Sequence, residues 1–295
     1  MNKIVLVTGA TGGIGRHYSE EMLASGYDVV LTYRNETLAT TLKDELQTKY
    51  PDASIEIMKL DLSSIDEMKS FSKSFCARYN RLDVLVHNAG VYFFDNEKRV
   101  SKDDIELNMA IHVVAPYVLT GLLMPVLEST PGSKVISMSS TEHKGATLNV
   151  KDLALKETFE SLGNMKSYST SKFAVLVFTA ELDRRLRIHK KEIVALAAHP
   201  GVSITGIQHK GNPNGVQKFM IGLMGKVLAG KPRDAAQPLI LATKQGVGGE
   251  YYGPTGFKEA KGKAGLVQPD SNTQEQSLGH DLWVELEKLT GIQYL

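Results

Sequence analysis

The chain has 295 residues, of which 42% are hydrophobic and 23% charged, the balance of a folded chain, so wholesale disorder is excluded. Its formal net charge is +1 with no basic block, which excludes nucleic-acid binding by bulk phosphate attraction. A single cysteine, Cys76, can neither close an internal disulfide nor build a zinc site, and no metal site is expected; Cys76 reads as a small packing residue on a helix.

Ile4 to Val7 is a continuous apolar, β-branched run, as for a strand buried on both faces of a parallel sheet. A glycine-rich turn follows, then a helix from about Ile14 to Ser25 closed by Gly26. Val29 to Thr32 is a second strand, Leu38 to Tyr50 a helix stopped by Pro51, and Ile55 to Leu60 a third strand. Ile65 to Tyr79 carries Ile65, Met68, Phe71 and Phe75 near helical spacing, and Val84 to Val86 is the fourth strand. Asp103 to Leu127 reads as a long helix with a kink at Pro116, Lys134 to Ser137 as a strand, Tyr168 to His189 as another long helix, and Ile193 to Ala198 as the sixth strand. Beyond an irregular stretch come a helix at Ala235 to Lys244, a short final strand within Gly248 to Gly253, and an amphipathic helix near Leu282 to Leu289. Alternating strands and helices predict a doubly wound, Rossmann-type three-layer α/β sandwich with a mostly parallel seven-stranded sheet. No repeat or linker divides residues 1–295, so a single domain is expected. No apolar run of about 18 residues reads as a membrane span, and the first strand leaves no room for a leader, so a cytoplasmic protein without a membrane anchor is expected.

Thr8-Gly9-Ala10-Thr11-Gly12-Gly13-Ile14-Gly15 lies between the first strand and the first helix. Glycines there let the backbone approach a pyrophosphate, and the helix N-terminus offers unpaired N–H groups and partial positive charge. The spacing fits T-G-x-x-x-G-x-G and also T-G-x-x-G-x-x-G, because residues 12 and 13 are both glycine. Further segments follow in order: His87-Asn88-Ala89-Gly90, Val135-Ile136-Ser137-Met138-Ser139-Ser140, Tyr168-Ser169-Thr170-Ser171-Lys172 and His199-Pro200-Gly201-Val202-Ser203-Ile204-Thr205. Together they resemble the classical short-chain dehydrogenase/reductase family over residues 3 to about 205. The 28-residue step from Ser140 to Tyr168, about twice that of compact members, together with Arg34 and Gly248-Gly249-Glu250-Tyr251-Tyr252-Gly253-Pro254, resembles the branch of retinol dehydrogenases, the WW-domain oxidoreductase and protochlorophyllide reductase.

The resemblance implies a catalytic set of Ser140, with Ser139 as fallback, Tyr168 and Lys172. Tyr168 and Lys172 are four apart and share one helix face. A neighbouring ammonium is expected to lower the phenol's pKa, and Tyr168 would then pass a proton to or from the reacting oxygen while Ser140 hydrogen-bonds it. The family's helix asparagine is replaced by His112, with Asn108 one turn earlier; His112 is the expected substitute, since histidine also donates, accepts and titrates near neutrality. The cofactor set implied is Gly9, Thr11, Gly13, Ile14, Gly15, Arg16, Arg34, Asp61, Leu62, Asn88, Ala89, Gly90, Tyr168, Lys172, Pro200, Gly201, Val202 and Thr205. The second strand ends in Tyr33-Arg34-Asn35 rather than in an acid, so Arg34 and Arg16 can clamp a 2′-phosphate and NADPH is preferred over NAD.

Residues 206–232 fall where the family's substrate lid lies, and Phe219, Met220, Leu223, Met224 and Val227 form an apolar stripe there. The expected reaction is hydride transfer to or from a small hydrophobic ketone, aldehyde or alcohol. The alternative is a cofactor-binding sensor or scaffold that has lost catalysis, a reading supported by the His112 exchange. The helices after strands four and five often form a dimer interface in the family, so a homodimer is one expectation, and residues 254–295 form a C-terminal extension.

Overall fold

The computed structural model describes residues 2–93, 95, 97–202 and 231–295. Thr205 and the stripe of Phe219, Met220, Leu223, Met224 and Val227 lie outside the described residues, as does all of the expected lid except residues 231 and 232.

Eight strands form one sheet in the order β3-β2-β1-β4-β5-β6-β7-β8. They are β1 (Lys3–Val7), β2 (Tyr27–Tyr33), β3 (Ile55–Lys59), β4 (Val84–His87), β5 (Ser133–Met138), β6 (Ile193–Ala198), β7 (Tyr251–Pro254) and β8 (Ala264–Leu266). All neighbours run parallel except β7 and β8, which pair antiparallel with Gly253 opposite Gly265. The expected count of seven is therefore corrected to eight. Ala264-Gly265-Leu266 carries no β-branched residue, and only its pairing with β7 makes it a strand.

Helices cover both faces, which is why β1 reads as one apolar run. Ile4 and Leu6 pack with α3 (Ile65–Arg78), α4 (Leu107–Glu128) and α5 (Phe159–Ile188), whereas Val5 and Val7 pack with α1 (Gly13–Ala24) and α2 (Glu36–Lys49). The latter face also receives a short turn, α6 (Pro232–Ala235), and α7 (Gln237–Gln245). Within α3 the stripe of Ile65, Met68, Phe71 and Phe75 is buried as expected. Cys76 is exposed, correcting its assignment as a packing residue: one position beyond Phe75 it is carried about 100° round the helix to the solvent side.

The long helix expected from Asp103 begins at Leu107. Asp104 takes a φ of 59°, Val100 bridges to Glu106, and the Glu106 carboxylate accepts from the Met109 N–H at 3.0 Å. The kink expected at Pro116 takes the form of a π-helical turn over Ala110–Val114. Proline has no N–H for the carbonyl of His112, so the α-helical ladder is interrupted there. Leu107–Glu128 is long and apolar enough to cross a membrane by length and composition, yet it is largely buried inside the protein as a core helix.

The segment between Ser140 and Tyr168 is an ordered piece of the fold. Asp152 accepts from the N–H groups of Lys156, Glu157 and Thr158, and Leu153, Leu155 and Phe159 join the core. α5 breaks at Gly163, φ 65°, so the helix bearing Tyr168 starts just upstream of the tyrosine. The C-terminal helix α8 (Gln276–Thr290) seats Trp283 against Tyr117 of α4 and Phe178 of α5, with ring centroids 5.2 and 6.1 Å away. Any dimer made by α4 and α5 must therefore use the surface that α8 leaves open.

Candidate active site

The strand order reverses between β1 and β4, and the two chain segments leaving those strands meet there. Gly9 has a φ of 66°, and a Cβ at Gly9 would lie 2.8 Å from the Ala89 Cα. At Gly15 it would lie 2.5 Å from the Gly9 carbonyl and 2.8 Å from Asn88 Nδ2. Asn88 explains this closeness: its Nδ2 donates to the carbonyls of Thr8 (2.9 Å) and Gly9 (3.2 Å), while its backbone N–H and that of Ala89 donate to Thr8 Oγ1. The glycine turn and the Asn88-Ala89-Gly90 segment are thus one unit, and the glycines are there for backbone-to-backbone approach.

The helix starts show what the turn can bind. α2 and α3 are capped by Asn35 and Ser64 and carry Glu36, or Asp66 and Glu67, in their first turns. α1 has Gly12 at its N-cap, no side-chain cap and no acid in its first turn. Its N–H groups and positive dipole end are left for an external anion, so these residues fit the pyrophosphate of a dinucleotide. Thr11 is exposed at the tip of this turn, Ile14 is buried beneath it, and Gly13 faces Pro232. Arg34 is exposed just past β2, whereas Arg16 forms an ion pair with Glu45 of α2. Asp61 is held by Ser63 and by Lys102 at 3.1 Å, and Leu62 enters the core.

Tyr168, Lys172 and Ser140 come together at the C-terminal ends of β4 and β5. The Lys172 ammonium is buried, donates to the Met138 carbonyl at 3.0 Å, and lies 5.6 Å from the Tyr168 ring centroid. Burial drives Lys172 down to about 7. Burial pushes the Tyr168 phenol up to about 12, with the facing Ser140 hydroxyl pulling the other way. The phenol is thus moved up rather than in the expected downward direction, with desolvation by burial as the largest cause. Ser139 is turned away, donating to the Lys172 carbonyl at 2.8 Å, which leaves Ser140 as the serine that faces the tyrosine.

His112 also reaches this cluster. Its ring meets Tyr168 edge-on, centroids 5.5 Å apart, and Tyr92 does the same from another side at 4.8 Å. His112 Nε2 accepts from the Val91 N–H at 3.0 Å, so Nδ1 carries the proton and donates to Ser171 Oγ at 2.8 Å; Ser171 in turn donates to the Tyr168 carbonyl at 2.7 Å. Asn108 instead donates to Glu106 at 2.8 Å and lies 3.4 Å from Ser167 Oγ. Of the two candidates, His112 is therefore the one in contact with the tyrosine.

Pro200, Gly201 and Val202 follow β6. Gly201 has a φ of 70°, its N–H donates to His199 Nδ1 at 3.2 Å, and Val202 N–H donates to the Ala260 carbonyl at 2.8 Å. Two buried histidines were not anticipated as part of the site, His143 and His199. Both pack against Tyr251, His143 edge-on at 5.6 Å and His199 tilted at 5.1 Å, and burial depresses both, His199 to about 4. The only sequence signal for His143 was its place three residues after Ser140, and for His199 its place before Pro200-Gly201. Among the described residues no cluster of His, Cys, Asp and Glu could hold a metal ion.

Residues 3–215 match the family described as short chain dehydrogenase. Retinol dehydrogenase 13 of Mus musculus is 28% identical over 98% of this chain and 84% of its own length, and retinol dehydrogenase 11 of Homo sapiens is 32% identical over 68% of this chain and 60% of its own. Among solved structures, an uncharacterised protein from Mycobacterium Paratuberculosis superposes with a TM-score of 0.80 at 24% identity, covering 99% of this chain and 95% of that one. A short chain dehydrogenase from Burkholderia cenocepacia in complex with NADP does so with a TM-score of 0.65 at 22% identity, over 84% and 94%. A phosphate-ready turn at the switch point, a Tyr-Lys pair beside a serine, and this match over most of the chain place the protein in the short-chain dehydrogenase family of oxidoreductases, on its retinol dehydrogenase-like branch.

Proposed function

We propose that this chain is an NADP(H)-dependent oxidoreductase that moves a hydride between nicotinamide and a hydrophobic ketone, aldehyde or alcohol. The observation that carries the reading is the convergence of Ser140, Tyr168 and buried Lys172 past the end of β5, on the sheet that carries the Gly9–Gly15 turn past the end of β1. When bound, the dinucleotide supplies or accepts the hydride at nicotinamide C4. The protein does the rest. Tyr168 holds its proton throughout the neutral range and gives it to the oxygen of the carbonyl being reduced; in the oxidative direction it is the phenolate that accepts the alcohol's proton. Ser140 donates a hydrogen bond to the same oxygen and stabilises its developing charge. Lys172 binds ribose hydroxyls and adds positive charge beside the phenol when protonated. A hydrophobic substrate is in keeping with relatives named retinol dehydrogenase and polyprenol dehydrogenase. The test is a panel of carbonyls and alcohols followed by nicotinamide absorbance. Turnover by wild type is the expected result; NADPH binding without turnover across the panel would instead indicate the lapsed sensor or scaffold.

NADPH is the preferred form in this proposal because Arg34 is exposed past β2, where an acid would repel a 2′-phosphate. Replacing Arg34 by Asp is expected to move the NADPH-to-NADH ratio of kcat/KM by at least about 10-fold toward NADH, since a hydrogen bond to a charged group contributes roughly 1.5–3 kcal/mol. An unchanged ratio refutes the assignment.

We assign His112 the place of the family asparagine. It fixes the backbone of Tyr168 through Ser171 and borders the phenol with its ring. His112→Ala should lower kcat by about 10-fold or more, the scale of a small misplacement of a catalytic group, and alter the pH profile. Wild-type turnover with an unaltered profile would end this idea.

A further inference from the structure

His143 is fully buried, three residues after Ser140, and neither nitrogen of its ring is spare. Nε2 lies 3.1 Å from the backbone nitrogen of Asp270, which can only donate, so Nε2 is the acceptor and the proton sits on Nδ1. Nδ1 lies 2.6 Å from the Ser140 carbonyl and donates to it. The edge of Tyr251 closes one side of the ring. Asp270 is itself fixed: its carboxylate accepts from Gly145 N–H (3.1 Å) and Asn272 N–H (3.1 Å), and its carbonyl accepts from Thr273 Oγ1 at 2.6 Å. Lys144 adds a second tie to the same C-terminal region through Glu259 at 2.7 Å.

Ser140 stands just beyond the end of β5, where the sheet no longer holds the backbone. Its own Oγ accepts from the Glu142 N–H at 3.2 Å, so the hydroxyl proton is left to point toward Tyr168. The serine's carbonyl accepts from the backbone N–H of His143 at 3.2 Å and, at the shorter 2.6 Å, from its ring, so the imidazole is the side chain that orients this peptide.

We propose that His143 is a positioning residue: it takes its bearing from the backbone of Asp270 in the C-terminal extension and sets the direction of the Ser140 hydroxyl. This rests on the reading of Ser140 as the residue that hydrogen-bonds the reacting oxygen. The extension then has a role in turnover without touching substrate.

The test uses the full chain with two replacements that split the imidazole. His143→Asn places an amide N–H near the Nδ1 position and keeps a donor for the Ser140 carbonyl. His143→Gln keeps an acceptor near the Nε2 position for Asp270 but loses that donor. kcat, KM and NADPH affinity are measured with the best carbonyl of the panel, together with the melting temperature. The expected result is a fall in kcat of about 10- to 100-fold for His143→Gln, the cost of a small misplacement of a catalytic group, with NADPH affinity unchanged and most of kcat restored in His143→Asn. In a Ser140→Ala background, His143→Gln should add no further loss, because what it positions is already gone. Equal effects of Asn and Gln, or full additivity with Ser140→Ala, overturn the proposal. Wild-type turnover by Ser140→Ala alone overturns the assignment of Ser140 instead, so the two failures are distinguishable.

Discussion

Tyr168→Phe is expected to lower kcat by about 10²–10⁴-fold, the usual worth of a positioned general acid or base, while leaving NADPH binding intact. The phenylalanine ring preserves the edge contacts with Tyr92 and His112, so the pocket keeps its shape and only the hydroxyl is lost. Because burial pushes the phenol up to about 12, the wild-type group is protonated at every pH where the protein is normally assayed. The reductive rate should therefore show no loss from Tyr168 ionisation below about pH 10. Residual turnover near the wild-type level in the phenylalanine variant would remove Tyr168 from the mechanism.

The second large effect is on stability. Lys172 is buried, donates to the Met138 carbonyl, and titrates at about 7, against about 10.4 in an unfolded chain. Between those values the unfolded chain binds a proton that the folded chain does not. The contribution of Lys172 to stability then rises with pH from about 7 to 10, by up to about 1.4 kcal/mol per pH unit. The buried tyrosines act with the opposite sign above about pH 10, since the unfolded chain loses protons that Tyr168, Tyr18 and Tyr251 retain. Lys172→Met removes the lysine's share. The variant should melt above wild type at pH 7, the gap should narrow steadily toward pH 10, and turnover should collapse. A gap constant across that range would show that the folded lysine is not depressed. The comparison marks a site that trades stability for chemistry.

Much of this architecture was legible because its signals are local. Doubly covered strands need unbroken apolar runs, as in Ile4 to Val7, and the Gly9–Gly15 spacing is dictated by a backbone that must pass within van der Waals contact of Ala89 and Asn88. Tyr168 and Lys172 meet on one face because helical periodicity puts them there. Where expectation and structure part, the cause is non-local. β8 is a strand by virtue of its partner, Cys76 is exposed by one step of helical rotation, and α4 begins late because Glu106, rather than an upstream residue, caps it.

By itself the amino-acid sequence determined the alternating layers, the glycine-rich turn after the first strand and the pairing of Tyr168 with Lys172 on one helix face, since each depends on residue type and spacing within one element or one strand-turn-helix unit. The tertiary structure alone decided the electrical state of that pair and its supports. Burial, a property of everything packed around a group, raises Tyr168 and lowers Lys172, in place of the simple attraction that spacing suggests. It also brings Asp270 to His143 across 127 positions of chain, a contact that no periodicity encodes because it is made by two loops on a shared core.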